Sequence, residues 1–166
     1  MPQNDQALLV RLRSAGVEFV VIGGVCAVYH GAPLATFDLD ICCPFGEENV
    51  RRIEAAVHDL HPFHRLTTNH LPLATTRDSF AKLRNLYLQT DLGKLDCLSE
   101  VTGVGGFQAV LERSVVARLS YGDFRFLNLE ALIASKQAAG RERDLVALRQ
   151  LLAIRERTRR PDSSGV

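Results

Sequence analysis

Val20-Val21-Ile22-Gly23-Gly24 is followed, after thirteen residues, by Asp38-Leu39-Asp40-Ile41, and reading these two stretches together decides the fold. The first is a short run of β-branched residues ending in two glycines, the pattern of a buried strand that turns sharply into a helix. Backbone N–H groups at such a turn, with the helix N-terminus behind them, favour a phosphate group. In the second stretch Asp38 and Asp40 lie two residues apart on a predicted strand over 36–43, so both carboxylates project from one face. Two like charges so close are unfavourable unless a cation screens them, and oxygen ligands of this kind suit Mg²⁺. Either feature alone also fits a bland explanation: alternating aspartates often face water, and any tight turn can use glycine. Their combination is the signal. A third carboxylate, Asp96, sits in Gly93-Lys94-Leu95-Asp96-Cys97-Leu98, an apolar strand where a lone charge is costly without a cation or hydrogen bonds.

Outward from this centre, Asn4 or Asp5 caps a helix with Leu8, Leu9, Leu12 and Ala15 in phase, and Gly16 stops it. A strand is expected over 17–22, a short helix over 25–30, and an amphipathic helix over 47–60 behind the Pro44-Phe45-Gly46 break. Between 61 and 76 the periodicity fades, which predicts irregular structure leading to a short helix over 79–83. Hairpins are expected over 85–99, through Asp91-Leu92-Gly93, and over 115–127, through Tyr121-Gly122. Gly103-Val104-Gly105-Gly106 reads as a flexible link, since no Lys-Ser or Lys-Thr follows to make a P-loop, and a helix is expected over 107–113. Asn128 caps a helix over 129–139, Gly140 ends it, and a last helix runs over 142–157. Residues 1–157 are expected to form one domain and 158–166 a frayed polar tail.

Composition narrows the function classes. At 166 residues, 46% hydrophobic, the chain fits one domain with a substantial core. Twenty Lys and Arg against nineteen Asp and Glu leave a net charge of +1, so no bulk field draws it to nucleic acid or anionic lipid, and any such contact is local. The apolar runs are too short to span a bilayer, and Met1-Pro2-Gln3-Asn4-Asp5 is not a secretory pattern, so a cytosolic location without membrane contact is expected. Cys26, Cys42, Cys43 and Cys97 show no CxxC spacing and read as small core residues. His58, His61 and His64 recur every third residue, but Pro62 interrupts the helix that would align them, so they read as surface groups. The basic residues Arg155, Arg157, Arg159 and Arg160 read as a solvated terminal run.

The run Ile22-Gly23-Gly24, the spacer and Asp38-Leu39-Asp40-Ile41 resemble the signature of nucleotidyltransferases of the DNA polymerase β superfamily, with Asp96 at the place of the later third carboxylate. Leu132-Ile133-Ala134-Ser135-Lys136 and Gly140-Arg141-Glu142-Arg143-Asp144-Leu145 are similar to the C-terminal segments of bacterial minimal and abortive-infection toxin-type members, and the resemblance covers most of residues 6–155. One departure stands out: Leu34 occupies a place where many relatives carry Arg, although Thr36 is retained. The resemblance implies an α/β (α+β) fold of the polymerase β type, a mixed sheet flanked by helices and closed by C-terminal helices. It also implies a Mg²⁺-dependent transfer of a nucleoside monophosphate from an NTP to an acceptor hydroxyl. Asp38, Asp40 and Asp96 would be the catalytic residues and hold two Mg²⁺ ions. Gly23, Gly24, Thr36, Lys136 and Asp144 would bind the nucleotide, with Arg141 and Arg143 near a phosphate or the acceptor. The acceptor is open: a tRNA or other RNA 3′ end, a small molecule or a protein. A non-catalytic protein of the same fold, either nucleotide-binding or a toxin–antitoxin interaction protein with a partner such as an antitoxin, is the alternative of another class.

Overall fold

Asn4 opens the first helix in the computed structural model, which describes residues 2–74 and 82–160. Its side chain accepts the Ala7 N–H at 3.0 Å, capping α1 (Asp5–Ser14), and Leu8, Leu9 and Leu12 are buried along one face. The chain then runs through β1 (Val20–Ile22), α2 (Gly23–Tyr29), β2 (Leu39–Cys42) and α3 (Glu47–Val57). A single 3₁₀ turn (His58–Leu60) leads to β3 (Phe63–His64), β4 (Asn85–Thr90) and β5 (Gly93–Leu98). A small hairpin of β6 (Glu100–Val101) and β7 (Gly105–Gly106) precedes α4 (Phe107–Glu112), β8 (Ser114–Leu119), β9 (Gly122–Leu127), α5 (Leu129–Ala139) and α6 (Glu142–Arg159).

Among the described residues the main sheet has seven strands in the order β3-β4-β5-β2-β1-β9-β8. It is mixed: β2 runs parallel to β5 and β1 parallel to β9, while the other neighbours are antiparallel. Every residue of β1 is buried, as are Leu39, Ile41 and Cys42 of β2, so these central strands are covered on both faces. Helix α1 packs on α3, α2 on α5, and α5 on α6. This is the expected α+β architecture, a mixed sheet flanked by helices and closed by two C-terminal helices. No helix among the described residues is long and apolar enough to cross a membrane.

The central strands are shorter than the apolar pattern suggests, for identifiable reasons. Residues 17 and 18 are bonded sideways: the Val17 N–H donates to Leu12 O at 3.0 Å, and the Glu18 N–H donates to the Asn49 side-chain oxygen at 2.8 Å. Buried Asn49 donates in return to Glu18 O at 3.1 Å and Pro44 O at 3.0 Å, tying the approach to β1 to the exit of β2. At the other end Ile22 pairs with Asp40, and the chain leaves the sheet at Gly23, so β1 offers no partner for residues 36–38. Helix α2 accordingly starts at Gly23 rather than Val25.

Three further differences have physical causes. The stretch 61–74 is not wholly irregular, because Phe63–His64 adds an edge strand to β4. The expected helix over 79–83 begins outside the described residues. Gly103 is not a flexible link: it turns the β6–β7 hairpin at φ +78°, and a Cβ there would lie 2.6 Å from Ala138 Cβ and 2.9 Å from Ala134 O, so the turn is pressed against α5. Finally, α6 continues to Arg159, where Arg155 and Arg159 reach Glu130 of α5 at 3.5 and 3.0 Å. Residues 158 and 159 therefore belong to the helix, and 161–166 lie outside the described residues. All four cysteines are free and buried. Burial pushes the Cys42 thiol to about 12, and contact with Cys43, together with burial, raises Cys97 well above the ordinary thiol range.

Candidate active site

One register row across the sheet sets the site. Parallel pairing of β2 with β5 puts Asp40 directly beside Asp96, and antiparallel pairing of β5 with β4 puts Tyr87 beside Asp96. Residues paired this way point to the same face, so the two carboxylates are neighbours by register alone. Asp38 lies in the bend just before β2, two residues from Asp40, and rejoins it. The three side chains each place one carboxylate oxygen within 4.8 Å of the others. They line a cleft of about 1020 Å³, together with Gly23, Gly24, Leu34, Thr36, Arg65, Tyr87, Lys136, Arg141, Arg143 and Asp144. The residues singled out in the sequence thus line one cavity, although Lys136, Arg141, Arg143 and Asp144 come from a part of the chain distant from Gly23 to Asp40.

The glycines act on the carboxylates first. Gly23 has φ +66°, a left-handed conformation that favours glycine, and a Cβ on it would fall 2.1 Å from Oδ2 of Asp40. The missing side chain is the space in which the Asp40 carboxylate lies. A Cβ on Gly24 would meet the Thr36 methyl at 3.0 Å, so the second glycine lets the loop before β2 close over the start of α2. The Thr36 hydroxyl itself donates to Asp5 Oδ2 of α1 at 3.3 Å.

Electrostatics in the row are severe. Burial, followed by the charges of Asp38 and Asp96, raises the Asp40 carboxyl from 3.8 to about 7, against the opposing pull of Lys136 and Arg143. Burial also raises Asp96, partly offset by Arg65. Asp96 is only 6% exposed; its Oδ2 accepts from Arg65 Nη2, while its Oδ1 is buried with no hydrogen-bond partner. On the opposite wall of the cleft, Lys136 Nζ donates to Asp144 Oδ1 at 2.8 Å and Arg141 Nε to Asp144 Oδ2 at 2.7 Å. Burial pushes Asp144 up, but these two bonds and the charges behind them outweigh it and hold the carboxyl below its usual range. Asp144 therefore fixes two cations at the cleft, one on α5 and one at the start of α6. Arg143 is exposed at the rim.

The donor set fits a hard divalent cation. Three carboxylates within reach of one another, one raised toward neutrality by burial and then by the other two, and one with a buried oxygen lacking a partner, form an acceptor-rich site short of positive charge. Sequence reasoning missed Arg65 and Tyr87. The Arg65 N–H donates to Tyr87 O at 3.0 Å, extending the row beyond the edge strand, and its guanidinium carbon lies 5.4 Å from the Tyr87 ring centroid. The alternation Leu86-Tyr87-Leu88 does put Tyr87 on the face of Asp96, but nothing in the weakly patterned stretch around Arg65 marks it.

No protein-family model matches the sequence, and no curated protein matches it significantly. Solved structures do. A protein from Thermotoga maritima described as a "putative nucleotidyltransferase" is 18% identical, with a TM-score of 0.53 over 88% of this chain and 88% of that one. An antigenic nucleotidyltransferase-like protein from Paracoccidioides brasiliensis is 12% identical, with a TM-score of 0.51 over 92% of this chain and 77% of that one. At such low identity the likeness speaks for backbone architecture alone, and what it establishes is that this chain has a nucleotidyltransferase-like fold.

Proposed function

We propose that the protein is a nucleotidyltransferase that moves a nucleoside monophosphate from an NTP to an acceptor hydroxyl. The observation that carries this reading is the convergence of Asp38, Asp40 and Asp96 in a large cleft, with a buried Asp96 oxygen left unpartnered. These three carboxylates would hold two Mg²⁺ ions. Bound there, the cations would neutralise phosphate charge and lower the pKa of the attacking hydroxyl. Gly23 and Gly24, in the first turn of α2 beside the carboxylates, would offer backbone N–H groups to the phosphate oxygens. Lys136, held in place by Asp144, supplies a point charge to the triphosphate. Thr36 shapes the same wall through Gly24, and Arg141 and Arg143 extend the cationic rim. In the reaction the acceptor oxygen bonds to the α-phosphorus, the bond to the β-phosphate's bridging oxygen breaks, and pyrophosphate leaves. Asp96 promotes loss of the hydroxyl proton to water. We assign this activity to a single domain that extends to the end of α6 at Arg159.

Incubation of the protein with each α-labelled NTP, Mg²⁺, total RNA and cell extract tests the reading. Label is expected in one fraction, lost with Asp38→Asn and with Asp40→Asn, and its location identifies the acceptor as RNA, protein or small molecule. Absence of label from every fraction, with folded protein and bound Mg-NTP demonstrated, would instead assign the chain to nucleotide binding without catalysis, for example in complex with an antitoxin.

A further inference from the structure

Arg65 is held to the carboxylate row by an incomplete bond. Its Nη2 donates to Asp96 Oδ2, yet Arg65 Nε and Asp96 Oδ1 are both buried without a partner. A guanidinium can clasp a carboxylate with two parallel N–H bonds, which would satisfy both atoms. Here the clasp is one-armed. The guanidinium rests over the Tyr87 ring, and its side chain is 21% exposed, so it has a seat that does not depend on Asp96 and a way out toward solvent. Of the other half-buried cations lining the cleft, Lys136 is committed to Asp144, and Lys94 acts on Asp96 through its charge.

We propose that Arg65 is a resident counter-ion of Asp96, which keeps the carboxylate row assembled before a divalent cation arrives and competes with that cation for the site. This rests on the reading of Asp38, Asp40 and Asp96 as metal ligands. Without metal, a buried Asp96 charge next to two further carboxylates needs a positive neighbour, and Arg65 supplies it. When a divalent ion binds, the guanidinium and the ion repel each other across a poorly solvated gap, so Arg65 lowers affinity at Asp96. The cleft thereby stays ordered at low metal and fills only above a threshold concentration.

Arg65→Gln removes the charge and retains an N–H donor, which separates charge from hydrogen bonding. Titration of the full chain with Mn²⁺, following free Mn²⁺ by electron paramagnetic resonance, should give about tenfold tighter binding for Arg65→Gln than for the natural protein. Metal-free Arg65→Gln should melt lower, and saturating Mn²⁺ should raise its Tm by more than it raises that of the natural protein. Adding Asp96→Asn to Arg65→Gln should abolish the gain in affinity. Should Arg65→Gln not fold, Arg65→Met, whose apolar stem suits the Tyr87 ring, is expected to shift affinity in the same direction. Equal or weaker Mn²⁺ binding by a folded, neutral Arg65 variant would overturn the counter-ion role while leaving the metal ligands in place. Failure of both the natural and variant proteins to bind Mn²⁺ would overturn the metal reading and this inference together.

Discussion

Asp40 sits where burial and two neighbouring carboxylates act in the same direction, and its carboxyl rises from 3.8 to about 7. Between those values the folded chain holds a proton that the unfolded chain has released, so stability contributed by protonated Asp40 is complete below about 3.8 and is lost as pH rises to about 7. If the whole shift is expressed, the loss is about 4 kcal/mol. In metal-free protein, Asp40→Asn should flatten the fall in Tm across this window and melt higher at pH 7. An unchanged slope in the variant would show that the shift is not expressed. The same proton links pH to metal: at pH 6, Mn²⁺ binding should release protons, seen in calorimetry as a binding enthalpy that depends on the buffer's ionisation enthalpy. Gly23 offers a steric test beside this electrostatic one. Gly23→Ala imposes a Cβ both on a left-handed backbone and on the Asp40 carboxylate, so Tm should fall by the equivalent of about 1–2 kcal/mol and Mn²⁺ affinity should fall with it. Gly46→Ala, where a Cβ meets nothing within 4 Å, should leave Mn²⁺ affinity unchanged.

At the scale of elements, the site depends on ends of strands and helices being stopped at particular residues. Asn128 caps α5 by accepting the Ala131 N–H at 2.8 Å, and that helix carries Lys136. Asn128→Ala should cost about 1 kcal/mol in urea unfolding while leaving nucleotide affinity nearly unchanged, whereas Asp144→Asn should lower both, because it releases Lys136 and Arg141. Equal affinity in Asp144→Asn and the natural protein would argue against Lys136 as a phosphate contact. Legibility in the sequence follows the same division. Caps, glycine stops and hairpins were readable because their signals are local: Asn4, Asn128 and Gly140 each act within a few residues of themselves. Asp96 was readable because a charge in an apolar strand demands a partner. What could not be read were features made by other parts of the chain. The sideways bonds of Asn49 shorten β1, Ala134 and Ala138 hold the Gly103 turn, and Arg65 becomes part of the site only because a two-residue edge strand lays it beside Tyr87. Thr36 lines the cleft, and the bond its hydroxyl makes to Asp5, thirty-one residues away, is likewise invisible in the sequence.

For the molecule as a whole, positive and negative charge nearly cancel, at +1 overall, so recognition of a polyanionic acceptor has to come from a local group of cations, and the group beside the carboxylates is at the cleft rim. The exposed cations placed there are Arg141 and Arg143, with Lys136 deeper in the wall. If the acceptor is RNA, about three phosphate contacts are expected, and for single strands the logarithm of affinity should then fall by about 2 for each tenfold rise in salt. That slope is shallow for an RNA-binding protein, because the rest of the surface adds no net field. Removing Arg141 and Arg143 together should reduce it by more than half and weaken binding across sequences alike, since phosphate contacts carry no base information. A protein or small-molecule acceptor should instead give a nearly flat salt dependence that these substitutions leave alone. Fluorescence anisotropy with a labelled single-stranded RNA, measured from low to physiological salt, distinguishes the cases. A steep slope that survives loss of both arginines would place the RNA contact elsewhere on the surface, away from the cleft rim.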